Sequence, residues 1–310
     1  MHLAEFLPPL IACGVYLILY RRRARTLAFR GAPIEVWRQV SFSSGVALLA
    51  IVQIGPLDTL ADQVLVAHAI QHIVIGDICS LLIVLGLTGP MLAPLLRIRM
   101  TRPIRRLAGP VTAFGLWVID LYIWHLPLLY QLAIRHDLVH ALEHACLLWF
   151  GTLMWLALIG PLPKPDWFAG WNKLSYIIAV RFAGAVLANV LIWTQSVLYP
   201  IYRTSDAARG LRPLSDQNLA GGVMMVEQIL LTTSLLGWLF YRALARDQER
   251  QELVELAARQ GRDITPERAA RAADAGAGEH LRRRLLETDP RRRDRHADPA
   301  ADRTPPRDGS

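Results

Sequence analysis

Seven long apolar segments, separated by short stretches rich in arginine, constrain this chain more than any other feature of its sequence. A helix of about 20 apolar residues spans the hydrocarbon core of a bilayer, where a charged side chain costs about 2.5–3.5 kcal/mol on insertion scales. Because most charges lie in the connections, we predict an all-α, polytopic membrane protein with about seven transmembrane helices. The predicted spans are residues 3–20, 38–55, 64–86, 108–133, 137–160, 173–198 and 216–241.

The lysine and arginine residues of the connections predict how the spans are oriented. The first, third and fifth connections carry thirteen positive residues, whereas the second, fourth and sixth carry four. Since positively charged loops stay on the cytoplasmic side, we predict the N-terminus outside and the C-terminus in the cytoplasm. The first apolar segment has no lysine or arginine before it, and its arginines follow it. We therefore interpret it as an uncleaved span rather than a signal peptide.

The chain is predicted to divide into a membrane domain, residues 1–245, and a basic cytoplasmic tail, residues 246–310. The tail begins as a charged helix, and its composition beyond about residue 262 predicts disorder. The formal net charge of +8 does not indicate nucleic acid as a partner, because the arginines lie beside the spans or in the tail. They indicate the lipid bilayer instead. The three cysteines form no CxxC pair and are interpreted as core residues.

Six of the nine histidines lie in or beside the predicted spans, close to the outer side of the membrane. They are His68, His72, His125, His136, His140 and His144. Residues four apart share one face of a helix, and at 1.5 Å per residue three helices present imidazoles within about 12 Å of the outer face. Neutral imidazole binds Cu, Zn, Fe and Ni. We therefore predict an outward-facing metal site, with His136 either at its mouth or simply in the loop.

Further side chains near this depth are secondary candidates for the site. Glu143 is expected to ligate the metal or to orient a histidine. The thioethers of Met224 and Met225 suit Cu(I) or belong to the core. Glu227 is an intramembrane carboxylate, either functional or paired with Arg181 or a histidine.

Two further features of the spans bear on this site. Asp77 and Asp120 handle protons or join helices, and the sequence does not decide between these roles. Pro127 is expected to kink the fourth span and to aim His125 inward.

Five motifs resemble the CtaG family, whose members are membrane assembly factors of caa-type haem–copper cytochrome c oxidases. The motifs are AHAIQH (67–72), LGLTGP (85–90), WHLPLLY (124–130), HALEH (140–144) with the LLWFGTLMW that follows, and DQNLAGG (216–222). The resemblance implies a multi-helix membrane protein that helps an oxidase to mature by handling copper. The positions to which it points are His68, His72, His125, His140, His144 and, in the last motif, Asp216 and Gln217. The segment IVIGDICSLLIV (73–84) departs from the family pattern, since Asp77 and Cys79 stand in an expected apolar, proline-containing run.

We therefore predict an accessory protein rather than an enzyme, in the bacterial cytoplasmic (inner) membrane. Its histidines would bind copper transiently and pass it to a subunit of cytochrome c oxidase. Two alternatives stay open. A haem-binding membrane cytochrome would use histidines on facing helices as axial ligands. A proton-coupled transporter would use Glu227, Asp77, Asp120 and Arg181 and would need broken helices near the midplane.

Overall fold

The computed structural model of the chain describes residues 3–97, 106–262, 264–274 and 277–287. Every regular element in these ranges is helical, as predicted. The helices are α1 (Leu3–Phe29), α2 (Val36–Ile54), α3 (Pro56–Ala61), α4 (Leu65–Ile73), α5 (Ser80–Gly86), α6 (Gly89–Arg97), α7 (Pro110–Trp124), α8 (Pro127–Arg135), α9 (Asp137–Leu158), α10 (Trp171–Trp193), α11 (Arg203–Ala208), α12 (Pro213–Arg259), α13 (Pro266–Asp274) and α14 (Gly278–Leu286). A π-helical segment, Val74–Cys79, joins α4 to α5, and a 3-10 turn, Pro200–Tyr202, precedes α11.

Four of the described helical segments are long and apolar enough to span a bilayer. They are Leu65–Gly86, Asp137–Leu158, Trp171–Trp193 and Pro213–Arg259. The pair α7 and α8, bent by 71° at the break between them, is a fifth candidate. The structure thus confirms the all-helical class and several helices suited to a membrane. Helices also coincide with the first two predicted spans, although the first lies partly outside the residues with described side chains; seven spans and their orientation stay a prediction.

The third predicted span contains the π-helical segment, which packs tightly on α9. Gly151 of α9 faces Gly76 so closely that a Cβ added at Gly151 would overlap the Gly76 carbonyl oxygen. The Ser80 hydroxyl donates a hydrogen bond to the same oxygen. Because no side chain separates the two backbones here, the histidines of α4 and α9 are held within reach of each other.

A sharp break separates α7 from α8 at His125 and Leu126. Pro127 is the first residue of α8, and a residue that precedes proline is disfavoured in the helical conformation. Leu126 is accordingly extended, with ψ of 129°, and His125 leaves the helix with φ of −89° and ψ of 0°. The kink predicted from Pro127 is therefore present, and it places His125 at a bend.

Two compact units make up the chain, one up to Thr233 and one from Ser234 onward. The second unit has its own apolar cluster, formed by Leu253, Ala257, Ala269, Leu281 and Leu285. The sequence predicts disorder beyond about residue 262, but helices α13 and α14 form there. They are stabilised because their alanine and leucine side chains pack on the end of α12. The disorder predicted for residues 288–310 falls outside the described residues.

Candidate metal centre

Four histidines and one glutamate from two neighbouring helices form a compact group, called here the histidine cluster. His68 and His72 belong to α4, whereas His140, Glu143 and His144 belong to α9. The ligand atoms of His68, His140 and His144 lie within 4.8 Å of one another, and so do those of His68, His72 and Glu143. Two groups of three ligands therefore overlap and share His68.

Helical spacing explains why each of the two helices supplies more than one of these side chains. Residues four apart share a face, and the ring centroids of His68 and His72 are 4.2 Å apart, as are those of His140 and His144. Between the helices, the centroid distances are 5.2 Å for His68 and His140 and 5.6 Å for His72 and His144. The structure thus brings together four of the five predicted histidine ligands.

The histidine cluster is buried, and several of its polar atoms lack a partner. Among the described residues, no hydrogen bond reaches Nδ1 of His72, Nε2 of His140, Nε2 of His144 or either carboxylate oxygen of Glu143. Glu143 lies 3.9 Å from His68 Nε2 and 3.6 Å from His72 Nε2, which is too long for a hydrogen bond. A buried polar atom without a partner costs about 1–3 kcal/mol, so a cation bound among these lone pairs would relieve several such costs.

Tyr202, which was not predicted from the sequence, holds His68 from outside the cluster. Its hydroxyl donates to the Ala61 carbonyl over 3.1 Å and lies 3.3 Å from Nδ1 of His68. Burial raises the pKa of Tyr202 well above its ordinary range, so the phenol keeps its single proton. With that proton given to Ala61, the hydroxyl accepts from the His68 Nδ1–H. The Nε2 lone pair of His68 then faces the cluster, as for histidines in metal sites, and accepts from the Nε2–H of His72 over 2.7 Å.

His125 lies beside the histidine cluster rather than inside it. Its Nδ1 donates to the Leu121 carbonyl over 2.7 Å, and its ring centroid is 6.1 Å from that of His72. Tyr199 fixes the backbone at this bend, because its hydroxyl donates to the His125 carbonyl over 2.8 Å. His125 therefore keeps a free Nε2, but it is in neither group of three ligands.

Three other candidates occupy different surroundings. His136 is exposed and precedes the first residue of α9, where its carbonyl accepts from the amides of Val139 and His140. Met224 is buried and lines a cavity together with His72. Met225, by contrast, packs against an apolar cluster in the first unit.

Asp216 and Gln217, at the start of α12, make hydrogen bonds to distant backbone. The carboxylate of Asp216 accepts from the amides of Leu65 over 2.6 Å and Val66 over 3.0 Å, which are the first two residues of α4. The Gln217 side chain accepts from the Leu198 amide and donates to the carbonyls of Leu191, in α10, and of Ser196, in the connection that follows it. In this structure Asp216 therefore caps the helix that carries His68 and His72, a contact that the sequence did not reveal.

Glu227 takes part in a buried ion triad. One guanidinium nitrogen of Arg181 lies 3.0 Å from Glu227, and another lies 3.0 Å from Asp77 of the π-helical segment. The pairing with Arg181 was one of the two alternatives predicted for Glu227. Gln228 also donates to the Glu227 carboxylate over 2.6 Å. A single cation thus joins two acids from different elements.

A small cavity lies between the histidine cluster and this triad; it is called here the polar cavity after the polar side chains that reach it, although most of its wall is apolar. Its volume is about 50 Å³, enough for a few waters. Its polar and sulfur-bearing walls come from His72, His125, Met224, Asp77, Asp120 and Glu227. The cavity therefore gathers several predicted residues that the histidine cluster itself does not contain.

Comparison with known proteins agrees with the motifs of the sequence. The family described as cytochrome c oxidase caa3 assembly factor (Caa3_CtaG) matches residues 14–246. Two uncharacterised proteins, from Mycobacterium bovis and Mycobacterium tuberculosis, are each 25% identical over an alignment of 230 residues that covers 68% of this chain. The match spans 35% of the length of these curated relatives. No solved structure matches the chain. Since the matched residues include the whole histidine cluster, the resemblance is confirmed, and the chain belongs to the Caa3_CtaG family of cytochrome c oxidase caa3 assembly factors.

Proposed function

We propose that this protein is an assembly factor that binds copper on the histidine cluster and passes it to a subunit of a haem–copper cytochrome c oxidase. It acts in the bacterial cytoplasmic membrane, with seven spans, the N-terminus outside and the C-terminus in the cytoplasm. The cluster then lies near the outer face. The role is that of a carrier and not of a catalyst, as for the family to which the chain belongs.

The observation that carries this proposal is the set of unpartnered atoms in the histidine cluster. Nδ1 of His72, Nε2 of His140, Nε2 of His144 and both carboxylate oxygens of Glu143 have no hydrogen-bond partner among the described residues, whereas the Nε2 atoms of His68 and His72 bond to each other. A merely structural histidine network would be expected to pair these atoms. Donor atoms left unpaired at close range are what a metal site requires, and the role of the family makes copper the metal of choice.

The overlap of the two ligand groups supports transient rather than permanent binding. A closed structural site holds its metal with one fixed set of ligands. Here His68 belongs to both groups, so a copper ion is able to exchange His140 and His144 for His72 and Glu143 while it stays bound. His140 is also partly exposed, which gives the ion a way in and out.

The two alternative functions gain less from the geometry. A haem needs a cavity of several hundred cubic ångströms, whereas the polar cavity beside His72 and His125 measures about 50 Å³. A transporter is favoured by the break at His125 and by the triad of Glu227. The break, however, lies beside the histidine cluster, where it positions an imidazole.

The experiment is a copper titration of the full chain in mild detergent. Anaerobic loading with Cu(I), followed by elemental analysis, is expected to give bound copper in the wild type. The double variant His72→Ala/His144→Ala is expected to lose copper at the histidine cluster. His136→Ala is the matched control, because it removes an exposed histidine next to the cluster and is expected to leave binding unchanged.

A second measurement ties copper to the oxidase. The variants are expressed in a bacterium whose own assembly factor has been deleted, and oxidase activity and its copper content are measured in the membranes. The double variant should fail to restore activity and His136→Ala should restore it. A folded double variant that binds copper normally, or a wild type that binds none, would show that the histidine cluster is not the copper site.

A further inference from the structure

We propose a second, inner site for copper(I) in the polar cavity, formed by the thioether of Met224 and the imidazoles of His125 and His72. The inference rests on the proposed function, because it takes copper to reach the histidine cluster first. It assigns a purpose to residues that the histidine cluster leaves aside. The two sites share one side chain, His72.

The position of the His72 ring is the first reason. Its Nε2 faces the histidine cluster, 2.7 Å from Nε2 of His68 and 3.6 Å from Glu143. Its Nδ1 is buried without a hydrogen-bond partner among the described residues, and the same ring lines the polar cavity. A neutral imidazole has one lone pair, so His72 serves one site at a time. When it donates its Nε2–H to His68, its lone pair lies on Nδ1 and is available to the inner site, while His68, His140 and His144 hold the ion of the histidine cluster.

The other donors around the cavity are the second reason. Met224 is 6% exposed and lines the cavity, and a thioether is a soft ligand that selects Cu(I) over harder ions. His125 also lines it, with its Nδ1 bound to the Leu121 carbonyl and its Nε2 left for a ligand. Two imidazoles and one thioether make a three-ligand set for a soft cation.

The size of the cavity limits what it holds. About 50 Å³ accommodates one ion with one or a few waters, and it excludes an organic substrate. Because His72 belongs to both sites, an ion moves from the histidine cluster to the inner site as the proton of this ring moves from Nδ1 to Nε2 and leaves the lone pair on Nδ1. This makes the inner site a holding position, one step deeper in the protein than the site of entry.

The test counts copper ions and identifies their ligands in the full chain. The purified protein is loaded with Cu(I) in the presence of a competing chelator, and the bound copper is analysed by elemental analysis and X-ray absorption. The wild type is expected to bind two equivalents and to show a sulfur neighbour. Met224→Leu is expected to bind one equivalent with nitrogen and oxygen neighbours alone. Met224→Cys, which restores a sulfur, is expected to recover the second equivalent.

Met225→Leu is the matched control, since Met225 is the next residue and packs against the same apolar cluster to which Met224 belongs, but is not among the residues that line the cavity. It should keep both equivalents and the sulfur signal. A wild type with one equivalent and no sulfur neighbour overturns the inner site and leaves the proposed function standing. A sulfur signal that survives in Met224→Leu also overturns it. A wild type without copper overturns both proposals.

Discussion

Asp216 offers the sharpest test of how the fold supports the histidine cluster. Its carboxylate accepts two hydrogen bonds from the first two amides of α4, the helix of His68 and His72. In Asp216→Asn the side chain keeps one acceptor oxygen, while its amide group is placed against the other backbone N–H. The variant therefore loses one charged hydrogen bond and the negative charge at a helix N-terminus.

The expected loss of stability follows from these two terms. A hydrogen bond to a charged group contributes about 1.5–3 kcal/mol, and a negative charge at a partly buried helix N-terminus contributes up to about 2 kcal/mol. We expect Asp216→Asn to lower the free energy of unfolding by about 3 kcal/mol. For a unit of this size, that corresponds to a fall in the melting temperature of roughly 6–12 °C.

The assay is thermal unfolding of the purified protein in detergent, followed by tryptophan fluorescence at pH 7. Asp166→Asn is the matched control, because it makes the same chemical change at an exposed carboxylate in the connection before α10. Copper titration separates capping from ligation: Asp216→Asn should still bind the wild-type number of ions, although less tightly. Equal melting temperatures for Asp216→Asn and the wild type would refute the capping role, and a lost copper equivalent would make Asp216 a ligand.

Three further predictions concern other parts of the first unit. Burial, and then the nearby Asp216, raise the pKa of Asp206 from 3.8 to about 6. The protonated Asp206 side chain therefore stabilises the fold below about pH 4, and this stabilisation is lost as the pH rises through 6. Asp206→Asn should reduce the fall in melting temperature over that pH range. Gly151→Ala should cost about 1–3 kcal/mol in thermal unfolding because its methyl group meets a facing backbone carbonyl, whereas Gly115→Ala, with open space around it, should cost nothing; equal effects of the two would argue against close packing of α9. Tyr202→Phe should weaken copper binding about 10–100-fold in a chelator competition, because the tautomer of His68 is no longer fixed by the tyrosine hydroxyl. Tyr122→Phe, which removes a hydroxyl outside the cluster, should leave the affinity unchanged, and a normal affinity in Tyr202→Phe would exclude the positioning role.

The histidine cluster itself was largely predictable, because its information is local. Spacings of four residues put His68 with His72 and His140 with His144 on single helix faces. The third and fifth predicted spans both begin on the outer side, so histidines near the start of each lie at similar depth. The same argument placed His125 at the right depth but not in the cluster. Its position depends on the 71° bend, whose direction no periodicity encodes.

The side chains that hold the histidine cluster in place were not predictable in the same way. The bond from Asp216 to Leu65 joins residues 151 positions apart, and that from Tyr202 to His68 joins residues 134 apart. Such contacts depend on how the helices pack against each other, and the pattern of apolar residues along each helix does not specify that packing. The resemblance to a family indicated Asp216 as a site residue, and only the structure assigns it to the helix cap.

The two proposals explain together why costly groups collect in one region of the chain. The histidine cluster leaves lone pairs without partners among the described residues, and the triad around Arg181 buries two carboxylic acids with one guanidinium. Rigid packing sustains both, since Gly76 and Gly151 hold the helices in contact and the Asp216 cap holds the start of α4. A bound cation would accept the unpartnered lone pairs of the histidine cluster. His72 lies between the histidine cluster and the cavity, so the same ring is able to bind an ion of either site.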